Sequence, residues 1–363
     1  MDQPLILVVA GDPSGDLHGS RLARELRAGG ARVAAVGGPL LRREADEFLE
    51  DLASHAITGF WEPVAKAGFL LGLGLRLKSW LSSRRPAAVV CVDYYGFNRR
   101  VLGLARDARG TAYYCISPQV WASRAGRIRT LSRLVRRMLV IFPFEEKLYR
   151  EAGVPCSFVG HPLLDLIPEP AARPPLAPPF TIGLLPGSRS SEVSRHLPVF
   201  LEVLRRLQSD HPGTRALLFA SPHLPDSAYA AATGRAELVR EEGYARRAGL
   251  DLALCSSGTA TLENALLGVP MVVVYKMSWP TYLVARALIQ VEHIAMANLL
   301  AGRRLVPELI QHEATPGGVC AAAKALLEDP GRYERLRGDL LSLRRALGEP
   351  GAARRAAKEI LAA

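Results

Sequence analysis

Cysteine is sparse in this chain: Cys91, Cys115, Cys156, Cys255 and Cys320 are scattered through 363 positions with no Cys-x-x-C pair. That usage suits a reduced, cytoplasmic setting. Long apolar runs are missing too. No segment reaches the roughly 18 to 20 uninterrupted apolar residues of a membrane-crossing helix. The apolar start "PLILVVA" (residues 4–10) is short, has no basic lead and runs into "GDPSGD" instead of a cleavage site, so it reads as a strand and not as an export signal.

Several signature motifs are absent. There is no G-x-x-x-x-G-K-[ST], which argues against a P-loop kinase, and "GDPSGD" departs from the dinucleotide fingerprint G-x-G-x-x-G. Neither H-E-x-x-H nor a cluster of Cys and His appears, so no metal site is expected. An Asp-x-Asp at a strand end, which would hold a divalent ion on a diphosphate, is missing as well. A diphosphate bound here would be neutralised by arginines and helix N-termini.

What is present is a globular composition, 49% hydrophobic and 22% charged, in a chain long enough for two domains. Lysine and arginine number 46 against 35 Asp and Glu, a net charge of +11. The excess points to anionic partners such as phosphates or lipid headgroups. It is spread along the chain without a nucleic-acid motif, and no nucleic-acid partner is expected.

Strand-like runs alternate with amphipathic stretches. "LILVVAG" leads to a helix through "LHGSRLARELRAGG", and "RVAAVGG" to a further helical stretch. "AAVVCVDYYG" is followed by "FNRRVLGLARDA", then come "GTAYYCIS", "RMLVIFPF", the helix "EEKLYREAG" and "SFVGHP". Strands separated by helices specify parallel βαβ units. Six prolines fall in residues 167–179, which reads as a linker. The pattern restarts with "FTIGLLPG", "TRALLFAS", "RAELVREEG", "LDLALCSSG" and "VPMVVVYK". The expected architecture is α/β: two Rossmann-like, doubly wound domains, 1–168 and 180–363, with a Pro-rich linker at 169–179. They would face a central cleft at the carboxyl ends of both sheets, where ligands of such folds bind. The last helix, in "ARRAAKEILAA", is expected to pack back on the first domain or on a partner.

Five stretches carry chemistry beyond the fold. In "LLPGSRSSEVSR" a strand turns into a helix through Gly187, Ser188 and Arg189, where N–H groups at a positive helix end suit an anion; an ordinary turn with a surface Arg is the plain alternative. In "CSSGTATLENALLGVP" a second strand ends in Ser256, Ser257, Gly258 and Thr259, and Glu263 follows in the helix. These hydroxyls and N–H groups either cap that helix alone or hold a phosphate while Glu263 reaches a ribose diol. Two such loops in one half favour a nucleoside diphosphate site. "AGDPSGDLHGSRL" gathers Asp12, Ser14, Gly15 and Asp16, more than a capping loop needs. "CISPQVWASRAGRIRTLSRLVRRM" sets Ser117, Trp121 and Arg124 after a strand and then a basic helix, which is either a solvated face or one turned to a phosphorylated acceptor or an anionic membrane. "AGFLLGLGLRLKSWLSSRR" (residues 67–85) suits a buried helix and a membrane-surface segment equally.

Taken with "VGGPLL", "ISPQVWASR", "FVGHPLLD", "SSGTATLENALLGVPMVVVYKMS" and "ANLLAGRRLVPELIQHEATP", these stretches resemble the lipid-A-disaccharide synthase family, in that family's order from residue 5 to about 325. The resemblance implies a GT-B glycosyltransferase fold and an inverting, metal-independent reaction that uses no cofactor. A UDP-2,3-diacylglucosamine donor would pass its sugar to the 6-hydroxyl of 2,3-diacylglucosamine 1-phosphate, a phosphorylated glycolipid acceptor. The enzyme would work peripherally at the inner face of the cytoplasmic membrane, as a homodimer. The resemblance also implies that Gly187, Ser188 and Arg189 hold the donor diphosphate, with Arg189 neutralising charge on departing UDP. Ser257, Gly258 and Thr259 would form the companion phosphate loop and Glu263 the ribose ligand, with Asn298 and Gln311 lining the same cleft. The acceptor would lie near Ser14, Gly15, Ser117, Trp121 and Arg124.

Besides Asp12 and Pro13, which stand where the first loop usually has a Glu and a small residue, a second and more serious position departs from the family. Its pattern Ile-Asp-Ala-Pro-Asp-Phe-Asn carries a catalytic-type carboxylate at the second Asp, where this chain, "VDYYGFN", has Gly96. Asp93 remains three residues earlier, expected on the same strand, and Asp12, Asp16 and His18 are the other candidates for the base. Because side chains alternate along a strand, Asp93 would need a local rearrangement to serve. Gly96 leaves two further readings open: a relative that uses a UDP-sugar with another acceptor, and a silent nucleotide-binding homologue.

Overall fold

The structure, a computed structural model, describes residues 3–55, 67–118, 120, 126–240, 243–279, 282 and 292–362. The chain divides into two compact bodies, one of Met1–Asp165 with Leu347–Ala363 and one of Leu166–Ala346.

The first body comprises β1 (Leu5–Ala10), α1 (Pro13–Ala28), β2 (Arg32–Gly37), α2 (Pro39–Glu44), β3 (Glu47–Asp51), α3 (Ala67–Arg84), β4 (Ala88–Val92), α4 (Tyr95–Asp107), β5 (Thr111–Cys115), α5 (Gly126–Ser132), β6 (Arg137–Val140), α6 (Pro143–Glu151) and β7 (Cys156–Phe158). All seven strands are parallel, in the order β3-β2-β1-β4-β5-β6-β7. The central strands are apolar along their length, not alternating, because helices cover both faces. Val8, Val9 and Val90 are fully buried, each worth about 1.5–3 kcal/mol.

The order reverses between β1 and β4, with Ala10 opposite Val92. The loops that follow these two strands therefore open side by side, as at the switch point of a doubly wound sheet. Two expectations change here. β4 ends at Val92, so Asp93 lies in the turn beyond the strand and Gly96 in the first turn of α4. The acidic stretch 47–51 is a half-buried edge strand whose polar residues hid it from a hydrophobicity reading. Residues 67–84 are helical, with Leu73, Leu77 and Leu81 buried in one stripe and Leu71 and Leu75 on the outer side, 60% and 70% exposed.

The second body comprises β8 (Thr181–Leu185), α7 (Ser190–Asp210), β9 (Arg215–Phe219), β10 (Glu237–Val239), α8 (Ala245–Ala248), β11 (Leu252–Cys255), α9 (Thr259–Leu266), β12 (Met271–Tyr275), α10 (Met296–Ala301), β13 (Glu308–Ile310), α11 (Pro316–Leu327) and α12 (Pro330–Ala346). Its six parallel strands run β10-β9-β8-β11-β12-β13. The reversal falls between β8 and β11, with Leu185 opposite Cys255. The Pro-rich stretch runs along this body: Arg344 donates to the carbonyls of Ile167 (3.1 Å) and Pro168 (3.2 Å), and Arg173 pairs with Asp251 at 2.9 Å.

After α12 the chain returns to the first body as α13 (Ala352–Leu361), which packs on α1 and pairs Glu359 with Arg137 at 3.0 Å. Among the described residues no helix is long and apolar enough to cross a membrane.

Candidate functional site

At the β8/β11 reversal a cavity of about 560 Å³ opens between the loops that follow the two strands. It brings together Gly187, Ser188, Arg189, Ser257, Gly258, Thr259 and Glu263, seven residues expected at a donor site. Two more charged residues that the sequence did not single out, Glu192 and Arg247, also line it.

The two loops differ in what their N–H groups do. In the β8–α7 loop Gly187 has φ +119°, a conformation that side chains disfavour. The carboxylate of Glu192, third residue of α7, folds back over it. One oxygen accepts the N–H groups of Ser188 (3.0 Å) and Arg189 (3.3 Å), and the other pairs with the Arg189 guanidinium at 3.2 Å. The donors expected to hold a diphosphate are thus occupied by an anion of the chain itself. His196 fixes the loop from below: its Nδ1 donates to the Pro186 carbonyl (2.8 Å), while Nε2 accepts the N–H of Lys276 (2.9 Å). Burial lowers its pKa, keeping the neutral tautomer that this bridge requires.

In the β11–α9 loop Gly258 is the N-cap at φ +133° and has no side-chain cap. The N–H groups of Gly258, Thr259 and Ala260 find no acceptor among the described residues. They form an open, positively polarised edge facing the cavity. Thr261 braces it, donating to the Gly258 carbonyl at 2.8 Å and accepting the N–H of Met296 at 3.1 Å. One turn on, Glu263 accepts the Tyr244 hydroxyl (2.9 Å) and pairs with Arg247, whose guanidinium lies over the rings of Phe219 and Tyr244. The carboxylate expected to meet a ribose is therefore preset by an arginine.

Asn298 and Gln311 are not among the cavity's lining residues. Fully buried Asn298 donates to Val306 O (3.0 Å) and Glu308 (2.7 Å) and accepts the N–H groups of Leu305 and Val306. Gln311 clasps the backbone of Met277 through both amide atoms. Both amides hold loops, a role that an Asn or Gln in sequence does not distinguish from ligand binding.

At the β1/β4 reversal of the first body, the Asp93 and Asp12 carboxylates lie close enough to interact. Asp93 has φ +46° and Tyr94 has φ +44°. This strained turn is over-determined: the Asp93 carbonyl accepts Asn98 Nδ2 (2.7 Å) and the Tyr114 hydroxyl (2.5 Å), and its N–H donates to Cys115 O (3.0 Å). Burial, and then the neighbouring Asp12 charge, push the Asp93 carboxyl up to about 6. Asp12 caps α1, accepting the N–H of Gly15 at 2.6 Å, and burial raises its pKa as well.

The remaining first-body candidates are placed differently. Asp16 accepts the N–H groups of Gly38 (2.8 Å), Leu40 (3.0 Å) and Leu41 (2.9 Å), so its carboxylate caps α2. His18 faces a cavity of only about 20 Å³ beside Cys115, Asp165 and Ala352, where burial lowers its pKa to about 4. Ser117 is buried, with its hydroxyl bonded to that of Tyr149 at 2.7 Å. Ser14 is exposed in the first turn of α1. Trp121 and Arg124 lie outside the described residues. Gly96 is exposed, and a Cβ there would have open space around it.

The Lipid-A-disaccharide synthetase family model matches residues 6–361. The chain is 42% identical over 374 residues to lipid-A-disaccharide synthase of Syntrophus aciditrophicus, covering 98% of this chain and 97% of the relative. To that of Geobacter metallireducens it is 39% identical over 369 residues, covering 98% and 96%. Among solved structures, Acinetobacter baumannii MurG matches over 100% of both chains with a TM-score of 0.61 at 17% identity, a likeness of fold. Two parallel Rossmann-like sheets, each with its loops gathered at a strand-order reversal, are the GT-B architecture. The chain belongs to the lipid-A-disaccharide synthase family of glycosyltransferases.

Proposed function

We propose that this chain transfers 2,3-diacylglucosamine from its UDP derivative to the 6-hydroxyl of 2,3-diacylglucosamine 1-phosphate, forming the β-1,6 disaccharide 1-phosphate and UDP. The observation that carries the donor half is the open N–H edge of α9 beside Arg189 in one cavity. A diphosphate seated there is held by backbone dipoles, and Arg189 stabilises the charge that grows on UDP as the glycosidic C–O bond breaks. Asp93 takes the proton of the acceptor hydroxyl. That oxygen forms the new bond to the anomeric carbon on the face opposite UDP, which leaves with the bonding electron pair, so the configuration inverts. A carboxyl raised to about 6 remains ionised at neutral pH yet is basic enough for this transfer. The acylated substrates would be met at the inner face of the cytoplasmic membrane, by a homodimer; the exposed Leu71 and Leu75 support the membrane part.

The test is UDP release from both acylated sugars in detergent micelles, comparing the parent with Asp93→Asn. Removing a general base lowers turnover by about 10²–10⁴-fold, and adding Gly96→Asp to that variant should restore part of it, since the position has room. In the parent, kcat/KM should fall below about pH 6, as Asp93 protonates. Stability gives a second readout. Because the folded pKa lies above the unfolded one, the contribution of Asp93 is fully present below about pH 4 and is lost as pH rises through about 6. Asp93→Asn should therefore raise the Tm at pH 8 and leave it unchanged at pH 4. Full turnover by Asp93→Asn would sink the assignment of the base. The relatives matched over 98% of this chain are synthases, which favours this reading over an altered acceptor or a silent homologue.

A further inference from the structure

Three of the six non-glycine residues with positive φ among the described residues stand where β4 and β5 end: Asp93 (+46°), Tyr94 (+44°) and Ile116 (+62°). Backbone of this kind gathers at functional sites and persists only where its surroundings hold it. At Asp93 the hold falls on a single peptide group. The pairing of β4 with β5 runs as far as Val92 opposite Cys115. Asp93 lies beyond it, yet both its backbone polar groups stay on β5. The N–H donates to Cys115 O (3.0 Å), and the carbonyl accepts the Tyr114 hydroxyl (2.5 Å). The second lone pair of that carbonyl takes Asn98 Nδ2 at 2.7 Å. The plane of the Asp93–Tyr94 peptide is thereby set, and with it the direction in which the Asp93 side chain leaves the backbone. From the β1 side, the Tyr94 ring rests on bare backbone: a Cβ at Gly11 would come within 1.9 Å of its Cδ1.

The two side-chain donors are not equivalent. Asn98 divides Nδ2 between Val92 O (3.1 Å) and Asp93 O, so part of its work is to close α4 onto β4. Tyr114 is fully buried and gives its only proton to Asp93. The packing of β5 does not need a hydroxyl for itself. Tyr113, one residue earlier on the same strand, is 1% exposed, and its hydroxyl has no partner among the described residues. We propose that Tyr114 is a positioning residue for the transfer: through the Asp93 carbonyl, its hydroxyl aims the carboxylate that takes the acceptor proton. The inference rests on the reading of Asp93 as the base and adds the group that holds it in place. Without the hydroxyl, one bond from a shared amide is left against two residues at positive φ. The turn then relaxes toward ordinary backbone, and the carboxylate leaves its half-buried seat beside Asp12 for solvent.

The experiment is a double-mutant cycle on the full chain: Tyr114→Phe, Asp93→Asn and the two combined, with Tyr113→Phe as the control that deletes a hydroxyl holding nothing. Tyr114→Phe should lower kcat by on the order of tenfold to a hundredfold, as for a reacting group displaced by about an ångström. UDP affinity should stay at the parent value, because the donor loops belong to the other body. The groups facing the Asp93 carboxylate are Asp12, from the loop after β1, and the Tyr114 hydroxyl, from β5. Once burial and the Asp12 charge are left behind, the acid limb of kcat/KM should move from about pH 6 toward the ordinary aspartate value of about 4. In the Asp93→Asn background, Tyr114→Phe should cost less than about twofold, since the group it aims is already gone. Tyr113→Phe should match the parent throughout. Losses that multiply in the combined variant, an acid limb that stays in place, or UDP affinity that falls together with kcat would overturn the proposal. Loss of the fold in Tyr114→Phe would make the hydroxyl a structural group and overturn it as well. Full turnover by Tyr114→Phe beside an impaired Asp93→Asn would remove this role and leave the base standing. Full turnover by Asp93→Asn would instead remove the base itself, and with it any residue said to aim it.

Discussion

The second body holds two loops of the same kind with opposite fates. Each leaves a parallel strand at the switch point, turns through a glycine of positive φ, and opens a helix toward one cavity. The β11–α9 loop keeps its first N–H groups open. The β8–α7 loop fills its own with the Glu192 carboxylate. The residue at the third helical position makes the difference. In α7 it is Glu192, long enough and charged to reach back as in a capping box; in α9 it is Thr261, whose short hydroxyl is spent on the Gly258 carbonyl. A helix N-terminus is thus an anion site only where its own first turn does not supply the anion. The cavity holds two preset ion pairs, Arg189 with Glu192 and Arg247 with Glu263, so on the proposed reading a diphosphate would draw its positive partners from α9 and from an Arg189 that exchanges one anion for another.

Arg189→Ala tests that exchange and carries the largest expected effect in this body. Loss of a charge-stabilising donor should lower turnover by about 10²–10³-fold. The fold should hardly notice, because the Arg189 side chain is 67% exposed and its surface pair with Glu192 contributes little. Steady-state UDP release and a thermal melt together decide it: a large fall in Tm would make Arg189 a structural residue and break the contrast between the loops.

Gly258→Ala should act on the open loop alone. Its Cβ would meet no atom within 4 Å, so the cost is purely that of φ +133°, about 1–3 kcal/mol. UDP affinity, measured calorimetrically, should weaken by about tenfold as the N–H groups turn away. At Gly187 the same change also drives a Cβ to 2.5 Å from Glu192 Oε2 and expels the internal anion. If Gly258→Ala binds UDP as the parent does, the α9 edge is not the diphosphate site.

The same contrast explains what the residues could and could not reveal. The central strands were legible because burial on both faces leaves runs such as "LILVVA" and "AVVCV" with no polar register. The gathering of two loops around one cavity was legible because Gly, Ser and Arg between a strand and a helix have a local geometry. The fates of the carboxylates were not. Asp12, Asp16 and Glu192 all cap helices, and Asp16 reaches N–H groups more than twenty positions away, a distance that no spacing rule sees. Asp93 separates from this set only through its locked left-handed turn, made by Asn98 and Tyr114. Arg247, in "EGYARRAG", looks like any exposed basic residue until Phe219 and Tyr244 are folded against it.

The smallest effect expected, and the one that bears most directly on the two loops, is that of Glu192→Gln. The amide keeps an oxygen to accept the Ser188 N–H, so the cap survives in shape, but the negative charge facing the cavity is gone. If the carboxylate competes with the donor diphosphate, removing one like charge from a partly screened site is worth about 1 kcal/mol, and UDP should bind roughly fivefold tighter. Glu192→Ala removes the cap as well and should cost about 1 kcal/mol of stability, so the two variants separate charge from shape. Tighter UDP with Gln and a lower Tm only with Ala would establish Glu192 as an internal occupant that UDP displaces. Unchanged or weaker UDP binding with Gln would mean that the diphosphate never enters the β8–α7 loop. Arg189 would then reach the ligand without giving up Glu192, and the open edge of α9 would carry the phosphates alone.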